Sequence, residues 1–276
     1  MTEPLILQVR AKAGIKEVRQ ALTDPAALNA WLGEYSRVDL PDTFEFWGRY
    51  VPDGDAPHQR VLYSDEDTLR LGWLLDGEET TTEFSLAEES DDSTLITLTQ
   101  SHFDFMDAVN NTSIRGVLQT FWSLALANLV DHLEGRELTT RPDFTSADFR
   151  GEALIDASIA DVYASLTESE KASAWFGFPI GIEPYAGGRF AMGGFDAGPG
   201  ATVVEVVEGR TMSVDWGPSG ISTWELAESE GKTRLTFVMS GFDTGNPPYG
   251  AWLGWLSGVS ALRRYNEQAD WQPIWV

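Results

Sequence analysis

Apolar positions along this 276-residue chain alternate between two periods, and the alternation runs through the chain twice. Leu5, Leu7 and Val9 recur at every second residue, after which Ile15, Val18 and Leu22 recur at helical steps. Pro25, a residue suited to a first helical turn, opens a second short helix that reaches Trp31 and Leu32. The period then falls to two over Thr43–Tyr50, Arg60–Tyr63, Leu69–Leu74, Thr80–Leu86 and Thr94–Phe103, with Asp76-Gly77 and Ser90-Asp91-Asp92 as turns. It returns to helix over Thr112–Glu134. There Trp122, Leu126, Leu129 and Leu133 share one face, Ile114, Val117, Leu118 and Phe121 extend it, and Gly135 is placed to cap the end. So broad a stripe fits the face of a sheet. Strand, two short helices, antiparallel strands and one long helix predict an α+β domain whose curved sheet wraps around its last helix.

The same order repeats from Gly151, and the two copies align. Ala21-Leu22-Thr23 faces Ser165-Leu166-Thr167, and Ala30-Trp31-Leu32-Gly33 faces Ala174-Trp175-Phe176-Gly177 at the same offset. Val61–Trp73 faces Val204–Trp216, and Thr94–Asp104 faces Thr233–Asp243. Trp252, Leu256 and Val259 restate the long helix near the C-terminus, and Pro184–Gly188 and Phe195–Gly200 read as loops. A period this long marks duplicated domains rather than solenoid repeats of about 20 to 50 residues. The expected division is a first domain over 1–140, a linker over 141–149 carrying Pro142 with Ser, Thr and Asp residues, and a second domain over 150–276.

Ala174-Trp175-Phe176-Gly177, Gly187-Gly188-Arg189-Phe190, Val214-Asp215-Trp216, Met239-Ser240-Gly241-Phe242 and the Trp252-led helix together resemble the activator of heat-shock-protein-90 ATPase homologue-like family. That family lies in the START-like, or SRPBCC, helix-grip superfamily. The resemblance implies two tandem helix-grip domains, each with a deep apolar pocket between sheet and long helix. Such pockets serve for lipids, polyketides or hormones and, in some members, for a catalytic step. Pattern of this kind specifies fold more closely than function.

Strand parity selects the side chains that face each helix. In the first copy the expected ligand-binding set is Trp73, Phe84, Leu98, Gln100 and His102 on the strands, with Trp122 and Leu126 on the helix. In the second it is Phe190, Trp216, Trp224, Phe237 and Met239, with Trp252 and Leu256. Large aromatics either line a cavity or fill it, and both readings stand at this point. Gln100 and His102 are polar on an apolar strand face and need partners, from a ligand or from the fold. His102, with Asp104 nearby, is the best catalytic candidate, although no nucleophile stands beside it. A cyclase or aromatase would use His102 and Gln100 with Arg70 or Asp215; simple binding is the preferred expectation over catalysis.

Composition narrows the partners. The net charge is −24, with 11 basic against 26 acidic residues through Asp143 and 8 against 17 beyond it, so both halves are acidic. Phosphate backbones and anionic lipid surfaces are repelled by such a field, and neither nucleic acid nor membrane is expected as a partner. The first residues, MTEPLILQVR, carry Glu3 and no basic leader, which predicts neither signal peptide nor membrane anchor. Without cysteine there is no disulfide or thiolate site, and His58, His102 and His132 lack ligand spacing, so no metal and no cofactor is expected. Gly193–Gly200 lacks the Lys-Ser/Thr of a phosphate loop and reads as a hairpin loop. The expectation is a cytoplasmic monomer or homodimer that binds a small apolar or aromatic molecule. The alternative is a surface-mediated chaperone partner.

Overall fold

The structure, a computed structural model, describes residues 4–101 and 113–276. The chain forms two compact units, Met1–Ser146 with Ile274–Val276, and Ala147–Pro273.

In the first unit β1 (Leu5–Ala11) leads into α1 (Ile15–Thr23) and α2 (Pro25–Trp31). The side chain of Asp24 accepts the Ala27 N–H at 2.9 Å, which caps α2 ahead of its Pro25. A hairpin of β2 (Tyr35–Asp39) and β3 (Thr43–Trp47) follows as a two-stranded sheet of its own. Then come β4 (Gln59–Ser64), β5 (Thr68–Leu75), β6 (Glu78–Ser90) and β7 (Ser93–Gln100), which with β1 make a five-stranded antiparallel sheet in the order β1-β7-β6-β5-β4. Leu71 pairs with Thr82 and Phe84 with Leu98, so the inward residues of adjacent strands stand side by side. The last three residues of the chain run along β1: the Arg10 N–H donates to the Ile274 carbonyl at 2.8 Å, and the Val276 N–H to that of Gln8 at 3.1 Å.

The cover is α3 (Leu118–Leu133), entered through a 3-10 turn at Ile114–Val117. The α-helix therefore begins later than the apolar pattern suggests, because its first turn is wound more tightly. Gly135 takes up φ +65° after the end, and the Arg136 N–H reaches back to the Asp131 carbonyl at 2.8 Å. Asn128, polar and fully buried in mid-helix, brackets Thr139, donating to its carbonyl at 3.1 Å and accepting its N–H at 2.9 Å, which holds the outgoing chain.

The second unit repeats the plan. It runs β8 (Arg150–Ile155), α4 (Ile159–Thr167), α5 (Ser169–Phe176), β9 (Ile180–Ile182), β10 (Arg189–Met192), β11 (Ala201–Val207), β12 (Thr211–Asp215), β13 (Ile221–Ser229), β14 (Lys232–Ser240) and α6 (Tyr249–Glu267). Here the first hairpin joins the main sheet, which has seven strands in the order β8-β14-β13-β12-β11-β10-β9. Equivalent side chains make equivalent bonds in the two units. The Trp31 indole N–H donates to the Ala21 carbonyl at 3.0 Å, and that of Trp175 to Ser165 at 2.8 Å. The Thr94 hydroxyl donates to the Ala13 carbonyl at 2.9 Å, and that of Thr233 to Ala157 at 2.8 Å. The duplication is thus carried in the anchoring of the short helices as well as in the order of elements.

Strand β2 went unread in the sequence because its burial alternates between exposed and half-covered, with neither face fully apolar. Leu126 and Leu256 lie buried under the two sheets. Replacing either by Ala is expected to destabilise its unit by about 2 to 5 kcal/mol. Urea unfolding checks this, and a loss below about 1 kcal/mol would mean that the helix is not the cover of its sheet.

Candidate functional site

Strand parity brings Trp73, Phe84, Leu98, Gln100, Trp122 and Leu126 together in the interior of the first unit, each at most 1% exposed. The ring of Trp122 meets those of Trp73 at 5.8 Å, Phe84 at 5.6 Å, Phe46 at 6.2 Å and Phe121 at 4.9 Å, so aromatic edges and faces occupy the space beneath the helix. Gln100 is held from within the fold. Its Oε1 accepts the Thr82 hydroxyl at 2.6 Å and the Trp122 indole N–H at 3.1 Å, and its Nε2 donates to the Ser101 carbonyl at 3.1 Å. Arg70 stands on the outer face, paired with Glu83 across the strands. His102 and Asp104 lie outside the described residues.

The second unit joins its rings into a chain. Trp252 stacks between Phe149 at 5.3 Å and Phe237 at 5.1 Å, Phe237 meets Trp224 at 5.1 Å, and Trp224 meets Trp255 at 4.9 Å. Trp255 in turn touches Trp216 at 5.3 Å, and Trp216 touches Phe190 at 5.5 Å. Met239 and Leu256 are buried as well. Trp216 marks where the chain reaches solvent. The pattern places it on a strand with Met212 and Val214, but β12 ends at Asp215, and Gly217-Pro218 turns the chain into a 3-10 segment because proline cannot donate to the ladder. Its indole N–H donates to the Ser222 hydroxyl at 2.7 Å, and its backbone N–H to the Gly220 carbonyl at 2.9 Å, which fixes the ring half-buried at the strand end.

A groove of about 550 Å³ opens at this point, lined by Phe190 and Met192 of β10, Ala201 and Thr202 of β11 with Gly200 before them, and Asp215 to Gly217. It lies at the end of the strands, with Trp255 of α6 touching Phe190 and Trp216 from behind. Phe190, Trp216 and Asp215 are the expected candidates among its lining residues, Phe190 almost wholly buried at 2% exposure and the other two half-buried. Met192, Ala201 and Thr202 were not anticipated, because alternation within so short a strand says little about which end is open. The signal available was the pair of glycine-rich turns, Gly193–Gly200 and Gly217–Gly220, which flank the opening. At Gly200, with φ +72°, a Cβ would stand 2.7 Å from the Phe190 carbonyl oxygen, so the rim closes only around glycine. At Gly188 a Cβ would stand 2.2 Å from the Glu183 carbonyl, which explains the Gly187-Gly188 pair ahead of β10.

Beside the groove Arg189 forks onto Glu183, with Nε at 3.0 Å and Nη2 at 3.2 Å, and lies 4.4 Å over the Phe195 ring. The hydrogen bond from Arg189 holds the Glu183 carboxyl below its ordinary value, and the same contact raises the guanidinium. Elsewhere Asp53, Asp55 and His58 bring one ligand-type atom each within 4.8 Å of one another. These groups already serve their own loop: Asp55 bonds His58 at 3.0 Å, and Asp53 accepts the Asp76 N–H at 3.2 Å.

Residues 156–266 match the family model of activator of Hsp90 ATPase homolog 1-like protein. The match lies within the second unit. No curated protein matches the sequence. Among solved structures, CalU16 from Micromonospora echinospora is similar over 49% of this chain and 76% of its own, at 25% identity and a TM-score of 0.38. DynU16, of the dynemicin biosynthetic locus, is similar over 95% of this chain and 98% of its own, at 18% identity and a TM-score of 0.35. PFC0360w, an HSP90 activator from Plasmodium falciparum, is similar over 49% of this chain and 99% of its own, at 13% identity and a TM-score of 0.39. Scores at this level carry no argument about function. Among the described residues no helix is long and apolar enough to cross a membrane.

The Glu183–Arg189 pair beside the groove can be tested through its pH dependence. Because the folded-state value of the carboxyl is depressed, its stabilisation is present above the ordinary glutamate range and lost as pH falls through the depressed value. The NMR signal of the Arg189 side-chain N–H is expected to hold steady from pH 7 to about 4.3 and to move only below that. Movement centred at or above the ordinary value would show that the pair does not form.

Proposed function

We propose that this protein binds a small apolar or aromatic molecule, and that the second unit is the binding domain. One observation carries the reading: a solvent-open groove floored by Phe190 and Trp216 continues the ring chain of a family-matched domain. The first unit serves structure in this reading, since its expected ligand-facing residues that are described pack on one another and its buried Gln100 is bonded from within. The protein acts in the cytoplasm as a carrier or sensor, and binding requires no cofactor.

The test uses the neutral fluorophore N-phenyl-1-naphthylamine, together with native mass spectrometry of the protein as purified. Saturable binding is expected, weakened about tenfold or more by Ala201→Phe, which fills the groove, and unaffected by replacement of exposed Ile6 with Ala. Binding that Ala201→Phe leaves intact would move the site elsewhere, and an absence of any bound or binding molecule would overturn the reading.

A second reading is favoured by the aromatics that the same unit exposes, Phe178, Tyr185 and Phe195 at 41%, 58% and 39%. They form a surface suited to the chaperone association that the family's name suggests. Capture of purified Hsp90-type chaperone at low salt, lost when Tyr185 and Phe195 are replaced by Ser, is its expected signature. Failure to capture at low salt removes it.

A further inference from the structure

The chemistry of the groove restricts what it takes, and the restriction rests on the reading that the groove binds a small molecule. Its lining presents the half-buried indole of Trp216 and the exposed thioether of Met192, and the one ionisable side chain among its lining residues is the carboxylate of Asp215. Asp215 is fixed in place, its Oδ1 accepting the Gly217 N–H at 2.8 Å, and among the described residues it forms no ion pair. Arg189 lies two strands away in register through Thr202, but its guanidinium is bound on both arms by Glu183. Arg189 is thus already paired, and the Asp215 carboxylate lines the groove together with the Trp216 indole.

Aromatic faces carry negative potential at their centres and attract cations, and a carboxylate beside them adds to the same field. The field of the whole chain has the same sign, with a net charge of −24 that raises the local concentration of cations and excludes anions. We propose that the groove selects an organic cation with a flat apolar body, an aromatic or polycyclic amine or quaternary ammonium. The ring lies along Trp216, and the charged nitrogen faces Asp215. A fatty acid, an acyl phosphate or a polyketide carboxylate would place its anion against the one carboxylate in the lining, and such ligands are disfavoured.

The test compares three probes of matched shape: (naphthylmethyl)trimethylammonium, its neutral carbon isostere neopentylnaphthalene, and naphthylmethylsulfonate. Each is titrated into the full-length protein while the Trp216 indole N–H signal is followed by NMR. The ammonium is expected to bind about tenfold more tightly than the neutral isostere, with the sulfonate weakest. Asp215→Asn should weaken the ammonium about tenfold and leave the neutral probe unchanged, and added salt should weaken the ammonium alone. Equal affinity for ammonium and neutral isostere, or an ammonium affinity indifferent to Asp215→Asn, overturns the cation selectivity while leaving apolar binding in place. If none of the three probes moves the Trp216 signal, the binding reading fails and the selectivity falls with it.

Discussion

The main sheet of each unit has one apolar face, and one long helix must cover it. That constraint decides where the large side chains stand. A sheet face left in water would expose several Leu, Ile and Phe side chains, each worth roughly 1.5 to 3 kcal/mol on burial. The helix therefore brings a tryptophan to the centre of the contact, Trp122 in the first unit and Trp252 with Trp255 in the second. The short helices are anchored by a third tryptophan in each unit, through the bonds from Trp31 to Ala21 and from Trp175 to Ser165. Sheet, long helix and short helices are thus coupled through indole rings, and a change at any one of them is felt by the other two.

The copies diverge in how they satisfy the inward end of the last strand before the helix. In the first, Gln100 occupies that position and draws Thr82 and Trp122 into a buried hydrogen-bonded knot. In the second, Met239 stands there, asks for no partner, and leaves Trp252 free to stack on Phe149 and Phe237. A knot of buried polar groups fixes one arrangement, because breaking it leaves an unsatisfied group in a dry interior. A stack of rings tolerates small displacements. The same strand position thus joins a hydrogen-bonded network in one copy and leaves a ring stack in the other.

Much of this was legible in the sequence, for reasons that individual residues make plain. Leu69, Leu71 and Trp73 share a face because strand side chains alternate, and all are buried. Trp31 and Trp175 align in the two copies, and in the structure both donate to a carbonyl ten residues earlier, Ala21 and Ser165. What escaped was set by tertiary context or by local breaks in the pattern. Strand β2 has no apolar face to announce it. Trp216 looked like a further inward strand residue until Gly217-Pro218 ended the ladder beneath it. The groove was illegible because its walls come from three strand ends that no single period connects. The satisfaction of Gln100 needed Thr82 and Trp122 to be placed in space before it could be seen.

The position of the groove follows from the packing around it. Opening space beneath the helix would remove ring contacts from Trp224, Phe237 or Trp252, and truncating a buried aromatic costs about 3 to 5 kcal/mol. A domain stable by only about 5 to 15 kcal/mol cannot sustain many such losses. At the strand ends the same rings already border solvent, and Gly200 and Gly217 keep side chains from filling the rim. Open space there takes nothing from the core. Because Trp255 touches Trp216, Phe190 and Trp224 at once, the rings at the rim pack directly against α6, and the open space at the strand ends is continuous with the packing of the long helix without a cavity beneath it.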